Sequence, residues 1–334
     1  MTNEKTSLSD RVEAVKPSGM NGQQMLVKFN LFIVFIVVCV AASLLTPEFL
    51  SAQNLSNLLQ QSSLVGIVAI GMTVVILVAG IDLSVGSVAA FGGMLVAILI
   101  GAGISWPLAL LLSVLAGAFL GGLMGGLSAL LALPSFMVTL AGLTSVRGLT
   151  YLTTDGTPTT STIPDALNYL GAGKLLGIPV VGLIFIAVTL VVGLLLRQTT
   201  VGEYVYAVGS NIEAARLSGL PVRAIQTTAF VVSGALAALS GALLTARLTI
   251  GQPTASQGLE LDAIAAVVLG GTSLFGGKGG VVGTFIAVLL LSVLRNLFNL
   301  MGLSSFFQML VTGLILIAAL ILNHLLEQRG SARA

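Results

Sequence analysis

Charge is what this sequence has least of. Asp, Glu, Lys and Arg make up 8% of its 334 residues, about a third of the share usual in a soluble domain. So few charges cannot cover a soluble enzyme of this length. The same scarcity excludes a disordered chain, a coiled coil with charged flanks and nucleic-acid binding through a basic surface. Cys39 is the only cysteine, which excludes an intrachain disulfide and a thiolate metal cluster. Set among Val37, Val38 and Val40, it reads as a small buried hydrophobe, and Val38 does not fit a lipoprotein signal. His324 is the only histidine, so His-based metal sites are excluded and a His-centred proton relay is disfavoured. One Trp and four Tyr leave little for a binding site built on ring stacking.

What is abundant points to a membrane. Hydrophobic residues are 56% of the chain and mean hydropathy is +1.08. Apolar runs fall at Leu31–Leu45, Leu64–Ala79, Val88–Ile100, Pro107–Leu133, Phe136–Leu152, Ile178–Leu196, Ala224–Thr245, Leu261–Leu274, Val281–Leu300 and Phe306–Leu322. Spans of about 20 residues fit this pattern, giving an all-α polytopic membrane protein of about ten transmembrane helices. The polar, mixed-charge segment 1–28 is too long and too acidic for a cleaved signal, so Leu31–Leu45 is expected to remain as an anchor.

Lys and Arg set the expected orientation. The first 28 residues carry Lys5, Arg11, Lys16 and Lys28, the 197–223 stretch carries Arg197, Arg216 and Arg223, and the 326–334 tail carries Arg329 and Arg333. All three belong on the cytoplasmic side, with both termini inside. A single transmembrane domain over 29–325 then exposes 153–177 and 246–260 outside, with Lys174 and Arg247 against the rule. The Leu64–Ala79 and Leu261–Leu274 runs are short for a core of about 30 Å. Either they begin earlier, through polar stretches such as Asn57–Ser63, or glycine breaks lie within the membrane beside a pathway.

Glycine is in excess, at 40 residues. Gly117, Gly121 and Gly125, with Gly122 and Gly126 beside them, read as a tightly packed helix. Gly270-Gly271 and Gly276–Gly280 read as a break. The latter is not a phosphate loop: Thr272 stands where its first glycine belongs and Gly279 follows Lys278, against the pattern of that motif. This chain is therefore not expected to bind ATP by that device.

The 197–223 loop contains Ser210-Asn211-Ile212-Glu213-Ala214-Ala215-Arg216-Leu217-Ser218-Gly219-Leu220-Pro221. Ser210 and Glu213 have capping-box spacing, Gly219 suits a left-handed C-terminal cap, and Pro221 stops the helix. One helix of about eight residues is expected, too short to stand alone. Glu213 and Arg216 can pair across one turn or meet a partner's charges. By itself this could be a solvated, capped turn.

Glu213-Ala214-Ala215 followed by Gly219 resembles the start of the coupling loop of ABC import permeases. Three more segments resemble the ribose-type sugar permeases of bacterial inner membranes: Gly80–Ser87 (GIDLSVGS), Tyr206–Asn211 (YAVGSN) and Leu261–Leu274 (LDAIAAVVLGGTSL). The resemblance runs from about Thr46 to Leu322 and implies a permease homodimer, a cytoplasmic ATPase with two nucleotide-binding domains and a periplasmic sugar-binding protein. It implies that Ser210, Glu213, Ala214, Ala215, Arg216 and Gly219 form the ATPase contact. Asp82, Ser84, Gly270, Gly271 and Thr272 are the candidates for the translocation pathway.

A charge at mid-membrane is costly. Asp82 follows the end of one helix and precedes another, so it either caps the next helix or offers a polar group to sugar hydroxyls or an arginine. Arg147 and Arg295, near the outer ends of their runs, are expected to snorkel; nothing in the sequence pairs either with Asp82. The expectation is an alternating-access permease for ribose or a close relative, without catalytic residues, metal or cofactor. Other pentoses, hexoses or signalling sugars remain alternatives, and an ion-coupled transporter is a weaker one.

Overall fold

The computed structural model describes residues 22–317 except 161, 312 and 316, with side chains from residue 31 onward. Residues 1–21, the end of the last expected run, His324 and the 326–334 tail lie outside the described residues. Twelve helices are labelled in chain order: α1 Gly22–Leu45, α2 Ala52–Leu77, α3 Val85–Gly101, α4 Trp106–Leu131, α5 Ser135–Leu152, α6 Asp165–Ala172, α7 Val180–Gln198, α8 Thr200–Ser210, α9 Ile212–Leu217, α10 Val222–Leu248, α11 Leu259–Leu269 and α12 Val281–Leu300. A 3-10 turn at Pro47–Leu50 follows α1, and an apolar helical segment at Ser305–Ile315 follows α12. The 153–177 stretch is more than a connection. It holds α6 and β1 Lys174–Leu175, which pairs antiparallel with β2 Ile178–Pro179 just beyond it.

Among the described residues five helices, α2, α4, α7, α10 and α12, are long and apolar enough to cross a membrane. Prolines enter several of them: Pro134, Pro179 and Pro221 stand just before α5, α7 and α10, and Pro107 lies in the first turn of α4. There the missing N–H costs nothing and φ is already set. The molecule is apolar outward as well as inward, as a lipid-facing bundle must be. Phe119 and Leu130 of α4 and Leu190 of α7 are exposed, whereas α2 and α10 form the interior.

The two short runs have opposite explanations. α2 starts at Ala52 and takes in the polar stretch, giving 26 residues, about 39 Å of helix. Asn54 and Asn296 exchange amide hydrogen bonds at 2.9 and 2.7 Å. Within the polar stretch itself the buried Gln60 donates to the Ala172 carbonyl, and the buried Ser62 and Ser63 donate to the Leu59 carbonyl. α11 has only 11 residues, about 16 Å, and stops well short of a full span.

Glycine makes the close contact between α4 and α10. A Cβ on Gly121 would overlap the Phe230 carbonyl oxygen, and one on Gly117 would overlap Gly234. The second ladder does not share this role: Gly122 has only Val231 nearby and Gly126 faces open space.

Candidate functional site

The α9 end is built by caps. Asn211 adopts extended backbone and its side-chain oxygen accepts from the Ala214 amide at 2.9 Å. The expected Ser210 capping box is therefore corrected by one residue. Ser210 is the last residue of α8, so α9 is six residues long rather than eight. At its other end Gly219 has φ +81°. The Leu220 amide donates to Ala215 and the Gly219 amide to Arg216, the paired closure of a left-handed cap. Ala215 is buried, while Glu213 and Arg216 pair at 2.7 Å in the open. Such an exposed pair adds little stability. Ala214 and Leu217 complete the outward face, with Leu217 84% exposed. Leu217 is the residue sequence reasoning missed; an exposed leucine on a capped loop helix was its only signal.

α8 fastens α9 to the bundle. A Cβ on Gly209 would overlap the Leu77 carbonyl oxygen at the end of α2, and that oxygen accepts from the Gly277 amide at 3.0 Å. The Tyr206 hydroxyl donates to the Gly279 carbonyl at 3.0 Å. Burial pushes the Tyr206 phenol up, with Arg197 pulling it down, so it stays a donor at neutral pH. Ser210 lies against Gly277. The 276–280 segment is thus clasped under α8 rather than free. Gly270 packs on Gly283, Gly271 has φ +82°, and the buried Thr272 hydroxyl accepts from the Gly280 amide at 3.3 Å.

Asp82 lies elsewhere, in the break between α2 and α3, and is 1% exposed. One carboxylate oxygen accepts from the Ser84 amide at 3.0 Å and hydroxyl at 2.6 Å; the other accepts from Ser233 of α10 at 2.9 Å. Asp82 stands two residues before the N-cap Ser84, so it orders the entry to α3 and ties it to α10. The neighbouring Ile81 backbone is served by α5: its amide donates to Ser135 and its carbonyl accepts from Thr139. Non-helical backbone is thereby satisfied inside the protein.

Both arginines have partners within the protein. Arg295 of α12 pairs with Asp262 of α11, one of its two bonds being 2.9 Å. Arg147 donates to the Pro253 and Ala255 carbonyls at 2.9 and 2.8 Å, holding the 249–258 segment inward. That segment leads to α11, whose Glu260 abuts Gly86 at the start of α3. One Glu260 oxygen is buried without a hydrogen-bond partner. Glu260 lies in the first turn of α11 and faces the first turn of α3 across Gly86. Between α2, α10 and α11 lies a cavity of about 240 Å³ lined by Gln61, Ser240, Arg247, Gln257 and Asp262, with Leu64, Val65, Leu244, Ser256 and Leu259. Sequence reasoning did not find it, because its walls come from three distant segments.

Comparison with known proteins gives this geometry a setting. The family described as branched-chain amino acid transport system / permease component matches residues 54–320. The chain is 42% identical to the ribose import permease protein of Haemophilus influenzae over 91% of this chain and 95% of that one. It is 43% identical to the ribose import permease protein of Bacillus subtilis over 89% and 92%. Against the L-arabinose ABC transporter permease protein of Azospirillum brasilense it is 37% identical over 96% and 94%. No solved structure matches the chain significantly. The chain belongs to this family of transport-system permease components.

Proposed function

We propose that the protein is the membrane-spanning subunit of an ATP-driven importer that carries a pentose, ribose first, inward by alternating access. The observation that carries the reading is the 42% identity to a ribose import permease over nearly the whole of both chains. Two of the three relatives named above are named for ribose and the third for L-arabinose, which supports ribose first.

In this reading the chain crosses a bacterial inner membrane ten times, the half-length α11 making one crossing together with its flanking segments, with both termini in the cytoplasm, and two copies form the pathway. A periplasmic binding protein delivers the sugar. A cytoplasmic ATPase with two nucleotide-binding domains grips α9 through Ala214, Leu217 and the Glu213–Arg216 pair. Movement of α9 passes through α8 to the end of α2 and to the 270–280 segment, including Gly270, Gly271 and Thr272. Asp82 and Ser84 hold the break at α3 on which the pathway turns.

The test is reconstitution in proteoliposomes with the ATPase and binding protein. Wild type should take up ribose only with ATP. Glu213→Arg and Ala214→Trp should reach the membrane at normal levels yet lose most binding-protein-stimulated ATP hydrolysis and uptake. Uptake driven by an ion gradient alone, or full coupling in both variants, would refute the assignment.

A further inference from the structure

We infer that the cavity between α2, α10 and α11 is a transit station for the sugar, with Gln61 and Arg247 as its hydrogen-bonding contacts. The inference rests on the sugar-permease reading above and assigns a place to its substrate.

The chemistry of the lining sets this cavity apart. One of about 260 Å³ between α7, α8 and α10 is walled mainly by Val, Leu and Ile side chains. Another, of about 400 Å³ at α4 and α5, is walled mainly by Met124, Met137 and leucines. Only apolar groups fit those walls well, because an unpaired hydroxyl buried there would be costly. The third cavity instead combines amide, guanidinium, hydroxyl and carboxylate groups with the aliphatic faces of Leu64, Val65 and Leu244. A sugar has that same alternation of hydroxyls and C–H faces.

The hydrogen-bonding capacity is also unspent. Among the described residues, the side chains of Gln61 and Arg247 make no hydrogen bond or ion pair. Gln61 offers donors and an acceptor, and Arg247 offers only donors; together they suit hydroxyls that both give and receive. Asp262 is held by Arg295, so its charge is compensated and it does not call for a cationic ligand. No aromatic ring lines the cavity. Without stacking, binding there is weak, as a point of passage needs.

The wall can move. Ser256, Leu259 and Asp262 belong to the segment that α11 joins to the 270–280 turn clasped under α8. A shift at α9 therefore reaches the cavity through about 16 Å of rigid helix.

The test uses the full transporter in proteoliposomes. Gln61→Ala and Arg247→Ala should each lower ribose moved per ATP hydrolysed at least about fivefold, as loss of hydroxyl contacts implies, with stimulated ATP hydrolysis within about twofold of wild type. A second arm does not depend on activity. With Cys39→Ser removing the only native thiol, Gln61→Cys should react with a membrane-impermeant maleimide, and ribose should slow that reaction where equal glycerol does not. Ribose transport by wild type without such protection would overturn the station while leaving the functional reading intact. A wild-type complex that moves no sugar would overturn both.

Discussion

The guanidinium of Arg295 grips the carboxylate of Asp262 at two points, fastening the half-length helix α11 to the full-length helix α12. Both side chains are about a third exposed or less, so removing one partner strands the other's charge. Arg295→Leu should cost about 1–3 kcal/mol, below the 3–5 kcal/mol of a fully buried pair. The double variant Arg295→Leu/Asp262→Asn should be more stable than Arg295→Leu alone. Thermal unfolding in detergent of wild type, Arg295→Leu, Asp262→Asn and the double variant, read as a double-mutant cycle, checks both statements.

At the α9 end, the competing caps give different outcomes. Asn211→Ala should lose about 1 kcal/mol of local helix stability and weaken coupling to ATP hydrolysis. Asn211→Asp should restore most of it. Ser210→Ala leaves the Ala214 amide bonded to Asn211 and should be mild. A Ser210 variant worse than the Asn211 variant would reinstate the capping box.

Two helical glycines should behave in opposite ways. Gly209→Ala drives a methyl group into the Leu77 carbonyl, where backbone cannot yield, so α8 should fail to seat and uptake should fall to background. Gly126→Ala meets nothing within 4 Å. It should be neutral or stabilising by up to about 1 kcal/mol, the helix preference for Ala over Gly. Membrane abundance and uptake of the two variants make the comparison.

Asp82 answers to its hydrogen bonds. Asp82→Leu leaves the Ser84 amide and the Ser233 hydroxyl without their acceptor, at about 1–3 kcal/mol for each buried group. Asp82→Asn keeps an acceptor oxygen and should lose less. Equal loss in both would point to the charge rather than the bonding, and melting curves separate the cases.

Much of this was legible in the sequence. Apolar runs located α4, α5, α7, α10 and α12 to within about three residues, because proline and glycine mark their ends. Hydropathy truncated α2, since Asn54 and Gln60 look like surface residues until Asn296 and the Ala172 carbonyl are seen to meet them. Arg147 and Arg295 misled for the same reason. Their acceptors lie more than thirty residues away, and Arg147 uses backbone carbonyls, which every residue owns and no sequence pattern advertises. The cap fell on Asn211 rather than Ser210 because α8 runs through Ser210, something neither residue type decides.

The Leu77 carbonyl, shared by Gly209 and Gly277, also divides the chain's glycine-rich turns into two kinds. The hairpin tip at Leu176-Gly177 stands free, with Leu176 96% exposed and nothing near Gly177. The Gly276–Gly279 turn is just as rich in positive-φ glycine, yet it closes over an occupied oxygen. An epitope tag or a fluorescent domain spliced at residue 177 leaves every contact in place, whereas the same graft at 277 pulls out the keystone joining three segments.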